Sequence, residues 1–142
     1  MNATDVLERQ QHGVLSLFDE LEITDDALQR TRLMGLLALR LKTHAAVKED
    51  VFYPAVRERE PGGVDEALAA HRAIDLLLDE AVGTPTDANV KVLRGVVEQL
   101  FGEERARLFT TAERLDESAR HTLAEHLGRY AHAVEASEAG EL

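Results

Sequence analysis

The chain of 142 residues has no cysteine and no tryptophan, three prolines, and only four phenylalanines and two tyrosines. Without cysteine there are no disulfides, thiolate metal sites, iron–sulfur clusters or cysteine nucleophiles. Long hydrophobic runs are missing too: no apolar stretch approaches the length of a membrane span. The opening MNATDVLERQQ has neither the basic nor the apolar segment of a secretory signal. The expectation is a soluble, cytoplasmic protein with no membrane partner. Basic residues are scarce, 16 Lys and Arg against 27 Asp and Glu, for a formal charge of −11. A surface of that sign repels a phosphate backbone, which argues against nucleic acid as a partner. It concentrates cations, although solubility is the simpler role for the charge.

What the chain does have is helical rhythm. Polar breaks at 22–26 (EITDD), 61–63 (PGG), 83–87 (GTPTD) and 115–118 (LDES) separate long segments with a 3.6-like apolar spacing and no strand alternation. This predicts helices over 3–21, 26–59, 64–82, 87–114 and 118–136, with 136–142 as a frayed tail. Thr86 or Asp87 caps the fourth helix and Asp116 or Ser118 the fifth, while Pro54 kinks the second or shifts its course. Short loops between four major helices predict an all-α, antiparallel up-down four-helix bundle. Residues 1–142 then form one domain, a core of 3–115 with a short C-terminal fifth helix over 118–136.

Polar residues interrupt three of the apolar stripes. His44 and Lys48 fall among Leu37, Leu41, Phe52 and Ala55; His71 and Asp75 among Val64, Leu68, Leu78 and Val82; Glu104 among Leu93, Val97, Leu100 and Leu108. Buried polar groups are costly unless satisfied, so three such stripes facing one another predict a shared site. Imidazole and carboxylate on facing helices are the donors of bundle metal centres. On the first helix, His12 sits at the flank of an arc of Leu7, Val14, Phe18 and Leu21. His121, His126 and His132, on the short fifth helix, read as surface residues, and Tyr53 and Tyr130 as core aromatics ahead of hydrogen-bond donors near the site. No Ser or Thr has a base at a recognisable spacing, and no phosphate-cradling loop is present, so nothing points to an enzyme acting on an organic substrate.

Four segments carry a family resemblance. Residues 10–15 (QQHGVL), 41–54 (LKTHAAVKEDVFYP), 67–78 (ALAAHRAIDLLL) and 97–109 (VEQLFGEERARLF) resemble the four helices of hemerythrin-like, HHE cation-binding domains. The resemblance covers about residues 5–115 and implies a non-haem di-iron centre between the helices. In that family, ligands come from a first-helix histidine, an H-x-x-x-E pair on the second, histidine on the third, and a similar pair on the fourth. By position His12, His44, His71 and Glu104 match, whereas Lys48 replaces the second-helix carboxylate and Leu100 the fourth-helix histidine. Glu49, at i+5 from His44, is expected to point away from that face.

Because a protonated ammonium cannot coordinate a cation and repels one, the resemblance implies something short of a di-iron centre. Two readings stay open. In one, a mononuclear iron, or zinc, is held by His12, His44 and Glu104 with His71 as a fourth ligand or orienting a water. Lys48 and Asp75 then lie just outside, and the protein senses or binds oxygen, peroxide or nitric oxide. In the other, the bundle holds no metal: Lys48 pairs with Glu104 or Asp75 in place of the dication, and the domain serves interaction or structure, with a protein partner or a second copy.

Overall fold

A computed structural model describes residues 2–138. Among these the chain forms five helices and no strand, which we number α1 to α5. Helix α1 is Ala3–Ile23. Helix α2, residues 27–56, runs as Ala27–Val47, a π turn at Lys48–Phe52 and a final α segment at Tyr53–Val56. Helix α3 is Pro61–Gly83. Helix α4, residues 87–113, runs as Asp87–Glu104, a second π turn at Arg105–Phe109, and Thr110–Glu113. Helix α5 is Glu117–Glu138. It thus continues past 136; residues 139–142, the rest of the expected frayed tail, lie outside the described residues.

Helix α1 packs on α2 and α4, α3 on α4 and α2, and the ring closes as an antiparallel four-helix bundle. Its core is filled by Leu7, Val14, Phe18 and Leu21 of α1, Leu37, Leu41 and Val47 of α2, Val64, Ala67, Ile74 and Leu78 of α3, and Leu93, Val97, Leu100 and Leu108 of α4. Helix α5 is more than an appendage. Leu123, Leu127 and Ala131 are buried against the bundle, and Tyr130 donates a hydrogen bond to Asp50 in the first π turn.

Local chemistry explains the boundaries. Asp26 accepts from the Gln29 N–H at 2.8 Å and Thr86 from the Asn89 N–H at 3.2 Å, so both helices open on a capping oxygen. The Pro-Gly-Gly break is absorbed into α3 because Pro61 occupies the first turn, where its missing N–H costs nothing. Gly63 lets α4 approach closely there: an added Cβ would lie 3.0 Å from Leu108 Cδ2 and 3.2 Å from Arg107 Nε, so those side chains would have to shift. Pro54 neither breaks nor ends α2. The π turn just before it gives the chain one more residue per turn, and the Tyr53 N–H reaches back to the Lys48 carbonyl.

That extra residue shifts the helical phase of the residues after it. Val56 is buried and the expected Ala55 is exposed. The stripe on α3 also runs one residue off the expected line: Ile74 and Ala81 face inward, while Asp75 and Val82 are exposed.

Candidate functional site

The two π turns meet at one place. Lys48 opens the first, Glu104 immediately precedes the second, and the two side chains form an ion pair inside the bundle. Lys48 Nζ lies 2.7 Å from Glu104 Oε1, and each side chain is only 1 % exposed. π turns inside α-helices frequently mark functional sites. Here they aim two long side chains across the bundle axis.

The pair is one end of a hydrogen-bonded chain. The Tyr53 hydroxyl donates to Glu104 Oε2 at 2.5 Å, so Glu104 is satisfied on both oxygens. Tyr53 has one proton, and it is committed to Glu104; its oxygen therefore accepts from the His71 Nε2–H at 3.0 Å. His71 Nδ1 then presents a lone pair 3.3 Å from Glu49 Oε2, a contact that closes as a hydrogen bond when the Glu49 carboxyl carries its proton. Burial, reinforced by Asp75 and Asp50, pushes the Glu49 carboxyl up, in keeping with that role. Five residues thus connect the protein surface at Glu49 to the buried ammonium.

Electrostatics follow from burial. Desolvation lowers the Lys48 ammonium, and Glu104 opposes that shift by attraction and hydrogen bonding. Burial, with Lys48 adding repulsion, brings His71 down to about 3. His44 is held well below its ordinary value by burial first, then by Lys48 and His71. Both imidazoles are neutral at physiological pH. Burial and the Glu104 charge push the Tyr53 phenol far upward, so it stays a donor. The ammonium also lies 5.4 Å from the Phe101 ring centre and 5.9 Å from that of Tyr53, within cation–π range.

Beside this chain, His44 Nδ1 donates to Gln10 Oε1 at 2.9 Å, and its ring packs edge-on against Phe101. Its Nε2 is buried with no hydrogen-bond partner. A cavity of about 30 Å3, lined by His44, Lys48, Glu49, His71, Asp75 and Phe101 among others, opens beside it. That volume accommodates a water molecule.

Of the six residues singled out from sequence, the structure brings four together: His44, Lys48, His71 and Glu104. Asp75 stays exposed at the cavity's edge, and the ion pair Lys48 makes is with Glu104. His12 is exposed on the outside of α1. The inward stripe there runs Leu7, Gln11, Val14, Phe18, Leu21, which places buried Gln11 where a first-helix donor was expected. Tyr53, expected as a core aromatic ahead of a hydrogen-bond donor, is buried and is also the hinge of the chain, and Glu49 reaches His71 despite its i+5 spacing from His44. Both depend on the π turn, which swings residues 49–53 relative to a regular α-helix. His121 faces Glu125 on the solvent side of α5.

Fold and site together define an all-α bundle whose polar residues converge between four helices, the architecture of a bundle cation site. The family model described as "Hemerythrin HHE cation binding domain" matches residues 2–103, and the chain belongs to that family. The match ends beside Glu104 and leaves the second π turn and α5 outside it. Comparison with curated proteins and with solved structures finds no significant match. No described helix is long and apolar enough to cross a membrane.

A cation fits these donors poorly. Both oxygens of Glu104 are engaged, one of them by an ammonium that would repel the ion, and His12 is on the far side of α1's inward stripe. Among the described residues no three His, Asp or Glu side chains are grouped so as to hold a metal ion.

Proposed function

We propose that this chain is a metal-independent member of the hemerythrin family, an interaction module whose interior is held by the Lys48–Glu104 pair in place of a dication. The observation that carries the reading is the 2.7 Å contact between two side chains that are both almost fully buried. An ammonium on one side of the axis and a carboxylate on the other neutralise each other as a cation and its carboxylate ligand would. Tyr53 and His71 supply the remaining hydrogen bonds, so no charge in the interior is left without a partner. The chain's residues bind and orient one another here; none is placed to act on an organic substrate.

A second reading rests on the unpartnered Nε2 of His44. In it, one iron is held by His44, His71 and Glu104, with His12 brought in by a shift of α1, once Lys48 swings aside. The domain then binds or senses a small diatomic or peroxide ligand. Thermal unfolding separates the two. A metal that binds only the folded chain, at a hundred times its dissociation constant, adds about 2.7 kcal/mol, which raises Tm by several degrees. We expect the melting of the native chain to be unmoved by chelator or by Fe(II), and Lys48→Glu to become responsive to Fe(II). A rise with Fe(II) in the native chain, abolished in His44→Ala, would favour the second reading.

A further inference from the structure

The α2 segment Ala27–Val47 carries Arg30, Arg32, Arg40 and Lys42 and not one aspartate or glutamate, in a chain with 27 acidic residues. Arg30 is spent inward, on the carbonyls of Leu21, Thr24 and Pro85. The others lie on the outside with three large apolar residues: Leu28 is 62 % exposed, Leu36 39 % and Leu39 42 %. Spacings of four and three residues put Leu28, Arg32, Gly35, Leu39 and Lys42 on one stripe of the helix. At about 1.5 Å per residue the stripe is roughly 21 Å long. Arg32 and Lys42 have no ion-pair partner among the described residues, in a chain that carries 27 acidic side chains. Nothing stands over the stripe's middle, since a Cβ added at Gly35 meets no atom within 4 Å.

Beside the stripe, Leu36 and Arg40 form one wall of a groove of about 360 Å3 whose other wall includes Gly13, Ser16 and Leu17 of α1. Small residues on one side and a leucine on the other leave room for a side chain from outside. A second copy is a poor occupant: antiparallel pairing of two α2 stripes about Gly35 sets Leu28 against Lys42 and Arg32 against Leu39, and brings the cations of both copies together with no carboxylate of Ala27–Val47 to meet them. An anionic bilayer extends its charge well beyond this face and is repelled by the rest of a molecule of net charge −11, whereas a single helix meets the basic stripe alone.

We propose that the outward face of α2 is a docking surface for an acidic amphipathic helix of a partner protein. Leucine-like side chains on the partner pack against Leu28, Leu36 and Leu39, and flanking carboxylates meet Arg32 and Lys42. This is the helix-on-helix mode of recognition, with apolar anchors for affinity and charge for register and partner choice. It deepens the reading of the domain as an interaction module and rests on it for its biological sense. Its test is separate, because metal uptake reports on the interior and peptide binding on this face.

The probe is a synthetic helical peptide of about 18 residues with leucines at i, i+4, i+7 and i+11 and glutamates on both flanks. The full chain, labelled with 15N, is titrated with it, and then with the same peptide carrying lysines for glutamates. Saturable binding by the acidic peptide alone is expected, with shifts confined to residues 27–47 and to the groove side of α1. Arg32→Glu with Lys42→Glu should weaken it at least tenfold while leaving helicity and melting unchanged. No binding below about 1 mM, shifts on another face, or indifference to the charge reversal would overturn the proposal. So would a concentration-dependent dimer that the reversal dissolves, or reversal-sensitive binding to phosphatidylglycerol vesicles without binding to the peptide.

Discussion

The two halves of this bundle meet the same physical demand in different ways. At the end that carries the α1–α2 and α3–α4 turns, open backbone carbonyls of Leu21, Thr24 and Pro85 converge on Arg30, which also pairs with Asp87 at 3.1 Å. Water can reach that end, so a single guanidinium with five N–H donors suffices. Arg94 ties Asp19, Glu22 and Glu98 together nearby, again at the surface. Among the described residues the seven large exposed apolar side chains all fall within 23–39 and 76–92, in this half or at its border. Toward the α2–α3 turn the arrangement inverts. The surface still carries ion pairs, Arg57 with Asp65 and Arg107 with Glu60, but a further pair lies inside, where only mutual satisfaction is tolerable. Surface polar clusters can lose a member gradually; the buried chain cannot.

Substitutions should expose that difference, beginning with the interior. Lys48→Met leaves Glu104 buried with Tyr53 as its sole donor and should cost about 3–5 kcal/mol in denaturant unfolding. Adding Glu104→Leu to it should recover most of the loss, because the orphaned charge is then gone; a double variant no better than the single one would break the comparison. Acid should act on the same half. His44 and His71 titrate near 6.5 when unfolded but stay neutral in the fold, His71 until about 3. Their contribution is therefore whole above pH 6.5 and is lost as pH falls from there toward 3, by about 1.4 kcal/mol per pH unit for each histidine. Unfolding titrations across that window should flatten by about one histidine's slope in His71→Phe. At the other end, Arg30→Ala should cost about 2 kcal/mol, since water takes over part of its bonding. Thr86→Ala, the cap of α4, should cost about 1 kcal/mol.

Much of this was legible in the residues, and the errors have local causes. Lys48 and Glu104 each fall within an apolar stripe on their own helix, which is enough to infer that they face the core. The misplacements are of a single residue: His12 for Gln11, Asp75 for Ile74, Ala55 for Val56. On α1 and α3 the inward line advances by fours and threes, Leu7-Gln11-Val14-Phe18 and Ala67-His71-Ile74-Leu78; Asp75 lies beside that line and not on it, and His12, at the flank of its arc, matches a ligand position only through the family resemblance. On α2 the cause is the π turn, whose extra residue no regular helical wheel contains. Glu49 and Tyr53 lie in or directly after it, so their part in the buried chain could not be read from i+4 spacing. Arg30, too, gave no periodic signal, because its partners are backbone carbonyls in turns.

The central claim is that a lysine does inside this bundle what a cation does in its family. Metal content after anaerobic Fe(II) loading and desalting tests it most directly, measured on the native chain and on Lys48→Glu. The account predicts far less than one iron per native chain, with retained iron rising in the variant. One or two irons per native chain, lost in His44→Ala, would contradict it.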